Sequence, residues 1–237
     1  MILAVQTPAY FAAVHACAPL LAADVVVAAE SFRFSRKENV HRAAIRTQTG
    51  TSWISVPVLS RGAAARIGDM EIDRHQPWGE LHRRTLEYNY HNAAWYYYYA
   101  GAVDEIIRGA TGDLAGLLQA CGHFAALNLQ AAARQRSSTE LLQLEDRNAR
   151  LLAWADACGC DRALVWPHEL DLLDLPRLCA AGLGVMALEF HPAPYHQQAP
   201  GFRPGLSLLD LLFNEGPGAA DHIRKHTRLR EVCSGCL

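Results

Sequence analysis

Val25-Val26-Val27-Ala28-Ala29 is β-branched, continuous and uncharged. A strand with one wet face alternates apolar and polar residues, whereas a strand covered on both faces, as in a parallel sheet, does not. This run therefore reads as a buried parallel strand. Met1 to Thr7 upstream is a second short apolar run, and Pro8 stands where proline favours a helix start. The Ala- and Leu-rich residues 9–23 then supply a crossover helix. Strand, helix and strand within thirty residues make a βαβ unit with a right-handed crossover.

Working outward, residues 41–47 and 52–58 flank Gln48-Thr49-Gly50-Thr51 and read as a hairpin, with Pro57 ending its second arm. Residues 60–68 form a small polar loop, and Met70 to Asp73 a short strand. From Trp78 the pattern turns helical. It includes the aromatic block from Tyr88 to Tyr99, whose rings at helical spacing belong mainly to a core. Residues 134–139 read as a polar joint. A helix over 146–158 stopping at Gly159, a strand over 163–166, a helix over 175–181 and a strand over 185–190 resume the alternation. The fold class is a three-layer α/β domain spanning 1–237, with a βαβ start and a helical insertion over about 78–136.

The chain has 237 residues, 51% of them hydrophobic, and a formal charge of −2. The hydrophobic share is enough for a packed core. The charge lacks the basic excess that binding a phosphate backbone demands, so nucleic acid is not an expected partner. No apolar run reaches the ~18 residues of a membrane span, and the first residues lack a basic leader pattern, which places the protein in the cytoplasm. Seven cysteines without an export signal point to reduced thiols. The Cys233-x-x-Cys236 pair reads as a frayed terminal thiol pair rather than a zinc site, so no metal or cofactor is expected. His222 and His226, ringed by Arg and Lys, read as a solvated basic helix end, and Cys17 as a small buried thiol.

Two stretches carry candidate chemistry. Just beyond the second strand stand Glu30, Arg33, Ser35, Arg36, His41 and Arg42. Arginine grips phosphate or carboxylate, and histidine near a carboxylate transfers protons at neutral pH. In open α/β sheets this carboxyl edge is where ligands bind. The second stretch is Pro204-Gly205-Leu206-Ser207-Leu208-Leu209-Asp210-Leu211-Leu212-Phe213-Asn214-Glu215-Gly216. It reads as a buried helix capped by Ser207, with Ser207, Asp210 and Asn214 as a polar stripe at or just under the main cleft.

This second stretch, preceded by Tyr195 and Phe202-x-Pro204-Gly205, resembles the C-terminal signature of the WbqC-like family. These bacterial proteins are encoded in O-antigen and natural-product loci. The resemblance runs from about Gln6 to Gly216. It includes Gln6-Thr7-Pro8-Ala9-Tyr10-Phe11, Asp24, Glu30 in place of an Asp, Phe34-Ser35-Arg36, Arg42, Pro57-Val58, Tyr90 and Ser137-Ser138. The chain departs from the family pattern at His15 (a Gly), Asn39 (a Trp), His41 (an Asn) and Trp166-Pro167-His168-Glu169. The resemblance implies a transferase that moves a small acyl or aminoacyl group from an activated donor to an amine or hydroxyl. The expected partner is a small-molecule substrate, with a nucleotide sugar and a carrier-protein thioester as candidates and the donor left open. In this expectation His41, Glu30 and Asp210 are catalytic. Arg42, Arg36, Ser35, Tyr10, Tyr195, Ser207 and Asn214 bind substrate, with Arg42 either free for the donor or paired to Glu30 or Asp210. The alternative is a non-catalytic protein that holds the sugar nucleotide or carrier arm.

Overall fold

The computed structural model describes all residues except 60, 61, 63 and 235–237. Cys236 and part of the expected loop over 60–68 therefore lie outside the described residues. Six strands form one sheet: β1 (Ile2–Gln6), β2 (Val25–Ala28), β5 (Arg134–Ser137), β6 (Arg162–Val165), β7 (Gly184–Phe190) and β8 (Thr227–Cys233), in the order β5-β2-β1-β6-β7-β8. Every pairing is parallel except β7 with β8. The hairpin β3 (Arg42–Thr47) and β4 (Gly50–Ser55) stands apart as a two-stranded sheet. Among the described residues there are eight α-helices: α1 (Ala18–Ala22), α2 (Trp78–Tyr90), α3 (Tyr96–Arg108), α4 (Leu114–Asn128), α5 (Arg147–Cys158), α6 (Leu175–Ala180), α7 (Leu208–Glu215) and α8 (Ala219–Lys225).

The expected three layers are present. Side chains alternate across the sheet, and each face packs its own core. Leu3, Val25, Val27, Ala163 and Val185 meet Leu151, Trp154 and Leu178 from α5 and α6. On the other face Ala4, Val26, Leu164 and Leu188 meet α1, α4, α7 and α8. The connections β1 to β2 and β5 to β6 thus cross on opposite faces. Strand order reverses between β1 and β6, so the loops leaving their carboxyl ends diverge and leave a crevice.

Three local readings are corrected. The helix expected over 9–23 is only a 3-10 turn, Val14–Cys17, followed by the five-residue α1. Tertiary bonds outcompete helical ones there: Tyr10 N–H donates to Val40 O at 2.8 Å and Val14 N–H to Leu206 O at 2.9 Å, and Phe11 has φ 38°. The rings of Tyr10 and Phe11 fill the core beneath. Residues 134–137, expected as a joint, form the edge strand β5. The helix end expected around His222 to Arg230 gives way to the edge strand β8 after Lys225.

The cysteine reading is also overturned in part. Cys179 and Cys233 form a disulfide, with Cα atoms 6.6 Å apart and a sequence separation of 54. Pairing of β8 against β7 brings the α6 end and the β8 end together, a proximity that sequence spacing hides. Cys17, Cys121, Cys158 and Cys160 are free and buried. Among the described residues no helix is long and apolar enough to cross a membrane.

Candidate functional site

A cleft of about 680 Å³ lies at the strand-order reversal. Gln6 and Thr7 at the end of β1 and Val165 and Trp166 at the end of β6 form its floor. Arg42 and Trp53 of the hairpin close one side, and Arg147 and Arg150 of α5 the other. His15, Asn39, His168 and Glu169 complete the polar lining together with Glu38.

Three guanidiniums in this wall have no carboxylate partner among the described residues. Arg42 donates from Nε to Asn39 Oδ1 at 2.6 Å, and its plane lies over the Trp53 ring, 4.4 Å from the centroid. Asn39 can turn its carbonyl this way because it sits at φ 59°, a left-handed conformation that asparagine tolerates. Arg150 donates to Leu144 O at 2.7 Å and stacks over Phe32. Burial and the neighbouring Arg147 charge both lower its pKa. Asp146, the nearest acid, caps α5 through Ala149 N–H and pairs with Arg177. Arg147 and Arg150 stand in the first turn of α5, where the helix dipole disfavours cations. Two unpaired cations in that position form a receptor for an anion.

Of the two histidines lining this cleft, His15 and His168, the first is held towards its neutral form by burial. His15 packs edge-on against Trp166 with ring centroids 6.0 Å apart, and desolvation lowers its pKa from the usual histidine value. A neutral imidazole at the rim of an anion-binding crevice can take a proton.

The expected site residues fall into four places. Only Arg42 of that set lines the main cleft. Glu30 is buried in the wall of a second cavity, bonded to Gln119 and Ser137. His41, 8% exposed, tilts against Phe34; its Nδ1 is buried without a partner, and burial and then Arg36 and Arg42 lower its pKa. Arg36 reaches Val58 O at 3.3 Å, and Ser35 caps the short turn before it.

Asp210 is fully buried and lies in a polar knot. Tyr90 and Tyr195 hydroxyls each donate to it at 2.7 Å. Burial raises the Asp210 pKa, and the two tyrosine bonds oppose that rise. Asn214 donates to Asp210 O at 2.7 Å and accepts from Gln198 at 2.8 Å. Arg46 flanks the knot and clamps Pro200 O at 2.6 Å and Gly50 O at 2.7 Å. Ser207 caps α7 as expected, through Leu209 N–H at 3.0 Å. It stands one layer behind the cleft, because its N–H bonds Ala44 O and the next N–H bonds Ala12 O, both in the cleft wall. Tyr10 is buried, its hydroxyl on His82 Nδ1 at 3.0 Å. Arg42 is bonded to neither Glu30 nor Asp210, which removes that pairing.

Sequence reasoning passed over Trp53, Arg147 and Arg150. The usable signal was the pair of arginines three apart just after the Asp146 cap. Of the positions at which the sequence departs from the resemblance, His15, Asn39, Trp166, His168 and Glu169 line this cleft, and His41 and Pro167 do not.

One similar protein is the uncharacterized protein Rv1507c of Mycobacterium tuberculosis (strain ATCC 25618 / H37Rv). It is 25% identical over 204 residues, covering 85% of this chain and 88% of that protein. No solved structure matches the chain. The WbqC-like protein family matches residues 8–222, from the loop after β1 through α8. That span takes in most of both cores and most of the cleft wall, and the chain belongs to the WbqC-like protein family.

Proposed function

We propose that this protein is a cytoplasmic transferase. It moves a small acyl or aminoacyl group from an activated, anionic donor to an amine or hydroxyl acceptor, in O-antigen or natural-product biosynthesis. The observation that carries the reading is the set of three arginines without carboxylate partners, Arg42, Arg147 and Arg150, around the crevice at the strand-order reversal. A carrier-protein thioester, as acyl donor, brings on its arm the phosphate charge those guanidiniums would bind, and a nucleotide sugar would bring the same charge as the acceptor. In the thioester case the acceptor nitrogen or oxygen attacks the carbonyl. The new C–N or C–O bond forms as the C–S bond breaks, the sulfur leaves as a thiol, and His15 takes the acceptor proton and returns it to the sulfur. A purely binding protein would need the arginines but no neutral histidine at the rim. The substituted cleft positions support a donor or acceptor particular to this chain. In the cytoplasm the Cys179–Cys233 pair would be held reduced.

Calorimetric titration with nucleotide sugars and acyl thioesters, followed by turnover assays with added amine, tests the reading. Arg147 is exposed and unpaired, so Arg147→Ala leaves the melting temperature unchanged and weakens donor binding about tenfold. His15→Asn keeps donor binding and lowers turnover by roughly 10²-fold or more, the range for a general base. Failure of every anionic donor to bind the wild-type chain would sink the proposal. Donor binding without turnover in wild type would leave the binding-protein alternative.

A further inference from the structure

A second cavity of about 260 Å³ lies beside the main cleft, at the carboxyl ends of β2 and β5. Gln6, Ala9 and Ala12 line both cavities, so the end of β1 is the partition between them. The two sides differ in charge. The first presents guanidiniums. The second presents Glu30, which is 1% exposed and still forms part of the wall.

The partners of Glu30 are neutral. Its Oε1 accepts from Gln119 Nε2 at 2.8 Å, and its Oε2 accepts from the Ser137 hydroxyl. Ser137 has one proton and gives it to Glu30, so Thr139 donates to Ser137 Oγ in turn, at 2.7 Å. A neutral amide in place of Glu30 keeps its oxygen on Gln119 and turns its NH2 to Ser137 Oγ, whose hydroxyl then turns to Thr139. The carboxylate adds a negative charge that no cation among the described residues pairs with. Arg136, in the same wall, is turned to Glu140 at 3.3 Å and to Ala157 O at 3.4 Å. His123, Cys17 and Cys121 are the remaining titratable groups of the wall, and burial pushes both thiols up to about 12. A buried charge without a counter-ion is costly, and a ligand can supply the missing one. A second acceptor in the partition is also unmet. Gln6 donates from Nε2 to Ala16 O at 2.6 Å, while its Oε1 is buried with no partner.

We propose that this second cavity binds a primary ammonium group, with Glu30 as its counter-ion and Gln6 Oε1 as a second acceptor. That the amine is the acceptor of the transfer rests on the function proposed above; its binding does not. An amino sugar and a small aliphatic amine present the same group, and separate probes distinguish them.

The test is a titration of the full chain, without any donor, followed by NMR or calorimetry. The probes are propylammonium with 1-propanol as neutral isostere, and glucosamine with glucose. The expected result is that at least one amine binds about tenfold or more tightly than its neutral counterpart. Glu30→Gln, which keeps the shape, brings the amine down to its counterpart's level at an unchanged melting temperature. Asp221→Asn, at an exposed carboxylate already paired with Arg224 and outside the walls of both cavities, leaves amine binding as it was. The proposal is overturned if wild type binds neither amine, if the neutral probes bind as tightly, or if folded Glu30→Gln binds the amine like wild type. Should Glu30→Gln not fold, the wild-type comparison decides alone. Donor binding is read at the arginine cleft in a separate titration, so either claim can fail without the other.

Discussion

His82 shows how a single buried group ties this fold to pH. It is 3% exposed, between the hairpin and Tyr10. The Ser55 carbonyl, 3.2 Å from Nε2, can only accept, so Nε2 carries the proton and Nδ1 accepts the Tyr10 hydroxyl. Burial pushes the pKa down to about 4, with the Ser55 bond pulling weakly the other way. The folded value lies below the unfolded one, so the unfolded chain binds more protons between them. The stabilisation from a neutral His82 is therefore full above about pH 6.5 and is lost as pH falls through about 4, amounting to about 3 kcal/mol. His82→Leu removes both bonds and the titration together. Its deficit against wild type at pH 7 should shrink steadily towards pH 4 in chemical denaturation. A deficit that stays constant across that range would show that His82 does not titrate in this way. Tyr10 and His82 also mark what sequence reading reaches at this scale. Asp210 was recognisable as a polar residue in apolar company, and Glu30 and His41 as members of the polar stretch beyond the second strand. Their separation into a cavity wall, a hairpin base and a tyrosine knot depends on contacts tens to more than a hundred residues apart in sequence.

Elements were legible where burial wrote the pattern. β1, β2, β6, β7, α5 and α7 are apolar runs or capped amphipathic segments, and their expected spans match to within a residue or two. β5 and β8 were not legible, because edge strands need little burial and carry charge that discourages further pairing. Arg134 and Gln135 of β5 and the middle of β8 are exposed. β8 makes up for its thin packing with the Cys179–Cys233 disulfide, which closes a 54-residue span. On the chain-entropy account such a loop contributes about 4 kcal/mol at most, and measured effects are commonly 2–4. Cys233→Ser should lower stability by about 2–4 kcal/mol in urea, and a reductant should bring wild type to the same value. Identical unfolding midpoints for wild type with and without reductant would show that the bond does not constrain the unfolded chain.

At the scale of the whole molecule, the βαβ start announced a parallel sheet but not where its order reverses. That position follows from the chain travelling β1 to β2 to β5 and returning on the far side of β1 to β6. The return brings Arg147 and Arg150 of α5 to the same crevice as Arg42, a hundred residues earlier. Arg42 is therefore the residue at which the fold and the proposed chemistry can be separated. It is half-buried, stacked on Trp53 and bonded once to Asn39, with no ion pair among the described residues. Lysine would give up the stacked plane, a loss of roughly 0.5–1 kcal/mol for a partly exposed cation on a ring, so Arg42→Lys should change the melting temperature little. A guanidinium gripping a phosphate uses a two-pronged geometry that an ammonium cannot reproduce. Donor affinity should then fall by roughly 1.5–3 kcal/mol, the range for charge-assisted hydrogen bonds. Raising the salt should weaken wild-type binding as well, because an exposed arginine cleft is screened. Thermal melts and titrations on the same two proteins decide between the roles. A large drop in melting temperature with unchanged donor affinity would make Arg42 a brace for the hairpin and remove it from the cleft's chemistry.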